Sequence, residues 1–209
     1  MQNLINQVQE LKQGKVKETI DNRIAEFKEI GKSDSDRLFS ELCFCILTAN
    51  FNAERSIKIQ ENIDEGFCNL SREKLASKLK ELGHRFPNTR ASYIAEARPC
   101  INALKKILNN KNEPETREWL VKNVKGLGYK EASHFLRNIG KKNLAIIDFH
   151  ILDILEANDL IKKPKTKTLT KSKYLGIENT LRQLAEKLNL SLAELDLYLW
   201  YLETGKILK

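Results

Sequence analysis

The segment EPETREWLVKNVKGLGYKEASHFLRNIG (residues 113–140) decides the fold, because it has the pattern of two helices joined by a glycine hairpin. Pro114 suits the first turn of the first helix. Gly126 and Gly128 interrupt the helical pattern. A helix that starts after glycines presents free backbone N–H groups, which bind a phosphate at close range. Both glycines are therefore candidate phosphate-binding residues, and the second helix carries a core-facing stripe of Ala132, Phe135, Leu136 and Ile139.

Lys130 falls in the first turn of that second helix. The positive end of the helix dipole disfavours an ammonium group there, and neighbouring Lys125 adds to the effect. A lysine held as a free amine can attack a sugar carbon and form a Schiff base. Lys130 is thus a candidate nucleophile, with a solvent-exposed lysine as the plain alternative. Lys125 is a candidate phosphate contact.

Asp148 follows the apolar run at residues 144–147 and precedes another helical pattern. The position is that of a helix N-cap, which is an ordinary structural role for aspartate. A carboxylate fixed there could also stabilise positive charge that develops on a sugar in a transition state. Lys130 and Asp148 therefore form a candidate catalytic pair, one amine and one carboxylate on successive helix starts.

The rest of the chain also has helical patterns, and strand-like alternation is nearly absent, so the sequence predicts an all-α fold. A Ser-Asp cap at 33–36 predicts the start of a buried helix at 36–49, and Ser71 and Gly83 mark the start and the end of another helix. A further helix is expected after Asn88. The capping box Ser191/Glu194 predicts a helix through Trp200.

The composition indicates a globular, basic protein. Its 209 residues include 36 Lys+Arg and 28 Asp+Glu, a net charge of +8 that favours a polyanionic partner. The segment IKKPKTKTLTKSK (161–173) is either a solvated loop or a loop that touches phosphates. No apolar run reaches about 18 residues and no signal pattern begins the chain, so we expect a cytoplasmic protein, at the chromosome, with no membrane partner.

Two groups of residues together resemble a known family. Gly126-Leu127-Gly128-Tyr129-Lys130, with Ile147-Asp148-Phe149-His150 beginning 17 residues after Lys130, resembles the signature of helix-hairpin-helix DNA glycosylases. The segments KEASHFLRNIG, LAIID, LCFCILTAN and LDLYLWYLETGKILK resemble the compact archaeal 8-oxoguanine DNA glycosylase/lyases, and this similarity covers essentially the whole chain.

The resemblance implies a bifunctional DNA repair enzyme of base excision repair. Lys130 would displace 8-oxoguanine by attack at C1′ and then promote strand cleavage by β-elimination, while Asp148 would stabilise the oxocarbenium-like state. The partner would be double-stranded DNA containing oxidised guanine. The oligomeric state is open at this point, with a monomer as the default expectation. We expect two helical lobes with the active cleft between them: a central lobe at 33–155, with the helix-hairpin-helix at about 114–140, and a second lobe of 1–32 plus 156–209.

A damaged base must leave the DNA stack before it can react, so the cleft needs flat apolar groups and a few polar ones. By the resemblance, Phe86 and Trp200 would sandwich the base. Asp196, four residues before Trp200, and the C-terminal Lys209 would contact it. His150 would contact phosphate, whereas Phe149 stands where relatives commonly carry a basic residue.

The four cysteines are predicted to be reduced thiols, and none follows residue 100, which excludes the iron–sulfur cluster of the endonuclease-type branch. We expect no other cofactor and no side-chain metal site, because the three histidines lack a paired ligand spacing. The resemblance does imply a monovalent cation on the hairpin carbonyls near Lys122, Val124 and Leu127.

Two alternatives stay open at this point. A monofunctional glycosylase of the same fold, acting on another damaged base, would use an activated water and leave Lys130 without a role. A non-enzymatic helix-hairpin-helix DNA-binding protein would leave Asp148 and a pocket without a role.

Overall fold

The computed structural model describes residues 1–164 and 169–209, and within these residues it is helical and contains no strand. Lys165 and Lys167 of the lysine-rich segment lie outside the described residues. The all-α prediction is confirmed. The described helices are α1 (Gln2–Leu11), α2 (Lys15–Ile30), α3 (Ser35–Thr48), α4 (Ala53–Ile63), α5 (Gly66–Asn69), α6 (Arg72–Glu81), α7 (Pro87–Ala97), α8 (Ile101–Asn110), α9 (Glu113–Asn123), α10 (Tyr129–Asn138), α11 (Phe149–Ala157), α12 (Lys171–Leu188) and α13 (Leu192–Thr204), with one 3-10 turn at Arg98–Cys100.

The predicted caps hold the helix starts. Asp34, Ser71 and Ser191 each accept a hydrogen bond from the backbone N–H three residues further on. Such a cap satisfies one of the donors that a helix start leaves free. The helix expected after Asn88 begins slightly earlier, at Pro87, whose fixed φ suits the first turn.

The buried apolar side chains form two clusters. The central cluster runs from Leu38 to Leu144 and is built around α3, whose residues 38–48 are all buried. The terminal cluster combines α1 and α2 with residues 145–199. The predicted lobe boundaries stay a prediction, while the two clusters give the molecule two packing centres with α10 beside α3 and α2.

The two clusters meet at close backbone contacts and buried ion pairs. Gly140, at φ 85°, lies where a Cβ would come within 2.9 Å of the Lys28 Cα, so a side chain would push α2 away. Arg117 on α9 pairs with Glu178 on α12. Arg137 on α10 pairs with Asp196 on α13. These contacts fix the relative positions of α10 and the C-terminal helices.

Across the described residues, no helix is both long and apolar enough to cross a membrane.

Candidate active site

A cavity of about 930 Å³ lies between the two clusters. Its walls come from the α3–α4 loop and the start of α4, from α10, and from residues 146–150 with Leu152. Leu169, Tyr174 of α12, α13 and the segment that follows α13 complete them. Most of the predicted site residues line it: Gly128, Lys130, Asp148, His150, Asp196, Trp200 and Lys209. The structure therefore brings together residues that are up to 81 positions apart in the sequence.

Lys130 and Asp148 stand at the starts of two helices that open on this cavity. Lys130 is the second residue of α10 and is half-buried. Asp148 is the N-cap of α11, and its Oδ1 accepts a hydrogen bond from the Ile151 N–H at 3.0 Å. This bond fixes the carboxylate at the cavity wall, so an amine and a positioned carboxylate share one cavity.

The hairpin between α9 and α10 packs against α7. Gly126 has φ 89°, and a Cβ there would come within 2.4 Å of the Tyr93 ring, so only glycine fits. Lys125 pairs with Glu96 at 3.2 Å. Lys125 and Gly126 are not part of the described lining of the cavity. This agrees with the expectation that they contact the DNA backbone outside a base pocket.

Glu131 is hydrogen-bonded to one of the N–H groups that are predicted to bind phosphate. Its Oε2 accepts a hydrogen bond from the Gly128 N–H at 3.1 Å, which is the acidic half of a capping box. A phosphate that bound this N–H would have to displace the Glu131 carboxylate.

Trp200 forms one aromatic wall and is held by its neighbours. The His150 ring meets it edge-on, with the ring centroids 5.0 Å apart. His150 Nδ1 lies 3.5 Å from a Glu203 carboxylate oxygen. His150, predicted as a phosphate contact, therefore also supports the tryptophan.

Phe86 is not brought to the described lining of the cavity. It is half-buried as the N-cap of α7, with the Arg85 guanidinium 5.0 Å from its ring centroid. The aromatic side chain in the lining on that side is Phe51, whose ring centroid lies 4.2 Å from that of His84. Sequence reasoning missed Phe51. The available signal was an aromatic residue in the short loop between a buried helix and the Asn52 N-cap.

Asp196 is buried and pairs with Arg137, which sequence reasoning also missed. Burial raises the pKa of Asp196 to about 6, and the negative charge of Asp148 adds to the shift, while the Arg137 and Lys130 charges oppose it. Burial therefore disfavours the ionised form of Asp196, even though the carboxylate pairs with the Arg137 guanidinium. A residue kept under such conditions at a cavity is a candidate for function.

His134 lies one helical turn after Lys130 and was not predicted. Burial, with the positive charges of Arg137 and Lys130, holds its pKa well below the usual value, so the ring is neutral. Within the described residues, its Nδ1 and the Trp200 Nε1 are buried without a hydrogen-bond partner. Both residues line the cavity, and these two polar atoms lie beneath its surface.

Lys209 is anchored by its side chain. Its Nζ donates to the buried Glu41 carboxylate at 2.8 Å and to the Gln60 amide oxygen, and it lies 4.7 Å from the centroid of the Phe44 ring. Glu41 and Gln60 belong to α3 and α4 of the central cluster. The anchor therefore holds the segment 206–209 as a wall of the cavity.

The carbonyls predicted to hold a cation, those of Lys122, Val124 and Leu127, lie at the end of α9 and in the hairpin. The Val124 carbonyl accepts from the Leu127 N–H at 3.3 Å, a long bond that leaves its second lone pair available. Among the described side chains, no group of three or more His, Cys, Asp or Glu has a metal-binding arrangement. Any cation here would rest on backbone oxygens.

Comparisons with known proteins point to one family. The model of a family described as 8-oxoguanine DNA glycosylase matches residues 20–190. The 8-oxoguanine DNA glycosylase/AP lyase of Methanocaldococcus jannaschii is 54% identical over 206 residues, which cover 99% of each chain. The protein of the same description from Korarchaeum cryptofilum is 53% identical over 207 residues, 99% of this chain and 98% of that one.

Solved structures agree with the sequence relatives. The crystal structure of the Methanocaldococcus jannaschii glycosylase/lyase in complex with a 15mer DNA containing 8-oxoguanine has a TM-score of 0.95, with 53% identity over 99% of both chains. The 8-oxoguanine DNA glycosylase of Thermotoga maritima has a TM-score of 0.94 and 42% identity, over 100% of this chain and 99% of that one.

Proposed function

Because the chain belongs to the 8-oxoguanine DNA glycosylase family, we propose that it is a bifunctional DNA glycosylase/AP lyase that excises 8-oxoguanine from double-stranded DNA. The observation that carries the proposal is the placement of Lys130 and Asp148 on one cavity. A monofunctional enzyme or a simple DNA-binding module has no use for a lysine at this position.

Lys130 is the nucleophile in this mechanism. Its uncharged Nζ attacks C1′ of the damaged nucleotide, the bond from C1′ to N9 of the base breaks, and the base leaves with the electron pair and takes up a proton. The Asp148 carboxylate stabilises the positive charge that develops on the sugar before the new bond is complete. Opening of the sugar ring then gives a Schiff base between Nζ and C1′.

Strand cleavage follows from the same intermediate. The protonated Schiff base makes the C2′ hydrogen acidic, and loss of that proton expels the 3′ phosphate by breaking the C3′–O bond. Water then releases the unsaturated sugar from Lys130. The lysine is regenerated, so a single residue serves both activities.

The base lies in the cavity after it has left the DNA stack. Trp200 offers the stacking face, and Asp196 and Lys209 are the proposed polar contacts. Phe86 stays a predicted base contact that lies outside the described lining, and we add Phe51 as the aromatic side chain that lines the cavity on that side.

The DNA backbone is bound by the hairpin and its surroundings. Gly126 supplies an N–H group, and so does Gly128 once the phosphate displaces the Glu131 carboxylate. Lys125 and His150 supply side chains. A net charge of +8 supports salt-sensitive binding. A monovalent cation on the carbonyls of Lys122, Val124 and Leu127 would strengthen this contact by adding positive charge next to a phosphate. No other cofactor and no iron–sulfur cluster is needed for the proposed chemistry.

The protein acts as a monomer on chromosomal DNA inside the cell. One chain supplies both proposed catalytic residues and every cavity wall described above.

Borohydride trapping tests the proposal. The protein is incubated with a duplex that carries one 8-oxoguanine, and borohydride reduces any Schiff base to a stable covalent adduct. We expect an adduct with the wild-type protein and none with Lys130→Gln. Base release without an adduct would indicate a monofunctional enzyme, and DNA binding without either would indicate a binding module or another lesion.

A further inference from the structure

The buried segment 144–147, which leads into Asp148, is held by side chains of α12. The Tyr174 hydroxyl donates to the Ala145 carbonyl at 2.8 Å and accepts from the Ile147 N–H at 3.3 Å. The Glu178 carboxylate accepts from the Ala145 N–H at 2.9 Å. Three backbone groups of a segment that belongs to no helix are therefore satisfied by two side chains.

Glu178 is itself fixed from the other side. Its two carboxylate oxygens accept from the Arg117 guanidinium at 2.6 and 3.0 Å, in a bidentate pair. Arg117 also donates to the Ser133 hydroxyl at 3.2 Å. Ser133 lies on α10, three residues after Lys130. One buried cluster thus contacts both the helix of Lys130 and the segment that ends at Asp148.

The N-cap bond of Asp148 cannot supply this positioning. It fixes the carboxylate relative to α11, whereas the hydrogen bonds of the segment 144–147 tie the start of α11 to α12 and, through Arg117, to α10. Side chains with several simultaneous hydrogen bonds have little freedom to shift, and in this cluster they are almost fully buried.

We propose that Tyr174 and Glu178 are positioning residues, which set the distance between the Lys130 amine and the Asp148 carboxylate. This inference rests on the proposed function. A displacement of about 1 Å between reacting groups lowers a rate by about a hundredfold, so even a small relaxation of the segment has a measurable effect.

Tyr174→Phe is the sharpest test, because it removes one oxygen and both of the backbone bonds that it makes. Single-turnover excision of 8-oxoguanine, with enzyme in excess, reports the rate of the chemical step whatever the fraction of folded protein. We expect this rate to fall at least tenfold while the Kd for the duplex stays within twofold. Tyr198→Phe is the control for the loss of a buried tyrosine hydroxyl in the same terminal cluster. Tyr174 borders the cavity and Tyr198 does not, so the unchanged Kd is what separates positioning from a direct contact with the DNA.

Glu178→Gln is the second variant, because its amide oxygen keeps an acceptor for the Ala145 N–H. We expect it to retain more of the excision rate than Glu178→Leu, measured below the unfolding temperature of each variant. A rate for Tyr174→Phe within twofold of wild type, or a weakened Kd with an unchanged rate, overturns the inference. Failure of the wild-type protein to give the Lys130-dependent adduct overturns the proposed function instead, so the two failures are distinct.

Discussion

The Arg117–Glu178 and Arg137–Asp196 pairs both join α9 or α10 to the C-terminal helices, but they lie in different surroundings. The Glu178 carboxylate accepts a bidentate pair of hydrogen bonds from Arg117 and one from a backbone N–H, and the Arg182 guanidinium lies 4.0 Å away. Asp196 borders the cavity, near the negative charge of Asp148. The Glu178 carboxylate makes its hydrogen bonds within the protein, while the Asp196 carboxylate faces the space that the base would fill.

This difference separates a structural role from a functional one. Loss of one partner of a buried ion pair strongly lowers the stability of the fold when the other charge stays buried and uncompensated. A carboxylate whose pKa is raised is easier to keep neutral in the folded state than in the unfolded state, so its charge is not retained for stability. We infer that the Glu178 charge serves the fold, and through it the position of the segment 144–147, whereas the Asp196 charge serves the cavity.

Glu178→Leu should give the largest effect on stability. It leaves the Arg117 guanidinium buried without its partner, and we expect the free energy of unfolding to fall by about 3–5 kcal/mol. Urea denaturation measures this. The double variant Arg117→Met/Glu178→Met should recover most of the loss. A single variant that cost less than about 1 kcal/mol would show that the pair contributes no more than a surface pair.

Asp196→Asn should affect excision more than stability. A lost hydrogen bond from a charged group to the bound base corresponds to about 1.5–3 kcal/mol, which is a tenfold to hundredfold lower single-turnover excision rate. The free energy of unfolding at pH 7.5 should change by less than about 1 kcal/mol or increase, because the new amide oxygen still accepts from the buried Arg137 guanidinium and the charge that burial disfavours is gone. Trapping at a preformed abasic site involves no base and should stay near wild type. Asp153→Asn, which removes a surface carboxylate of α11, is the matched control. An equal loss at the abasic site would place Asp196 in the sugar chemistry.

The pH dependence of stability sharpens the same contrast. The folded-state pKa of Asp196 is about 6 against an ordinary value of 3.8. Between these values the folded protein holds a proton that the unfolded chain has released, so this group makes the free energy of unfolding fall as the pH rises from about 4 to 6. From pH 4 to 6, the free energy of unfolding of Asp196→Asn should therefore rise relative to that of wild type by about 1–3 kcal/mol. Urea denaturation at several pH values measures this. A difference that stayed constant with pH would contradict the raised pKa.

Much of this site could be predicted because its signals are local. Lys130 and Asp148 each follow directly from a helix start, and the capping residues mark where those helices begin. Glycine at 126 is dictated by a positive φ, which the sequence pattern also indicates.

The residues that were missed depend on contacts between distant parts of the chain. Arg137 is 59 positions from Asp196, and Glu178 is 61 positions from Arg117. A single sequence shows an arginine or a histidine on a helix without showing which helix packs against it. Phe86 shows the converse case: its predicted role came from the resemblance, while its side chain lies against Arg85, outside the described lining of the cavity.

Glu131→Gln should have the smallest effect on stability among these variants, because the Glu131 carboxylate is more exposed than those of Glu178 and Asp196. Glu131 accepts the Gly128 N–H at 3.1 Å and puts a negative charge where a phosphate is proposed to bind. Because charges near a helix start contribute about 0.3–1 kcal/mol at most, the variant should lose only a few tenths of a kcal/mol in unfolding free energy. The same change removes a repulsion toward DNA, so the Kd for an undamaged duplex should fall about two- to fivefold at low salt and converge with wild type at high salt. Glu115→Gln, in the first turn of α9, is the matched control for a helix-start carboxylate elsewhere. A Kd that rose in Glu131→Gln would mean that the carboxylate shapes the hairpin for DNA and does not compete with the phosphate.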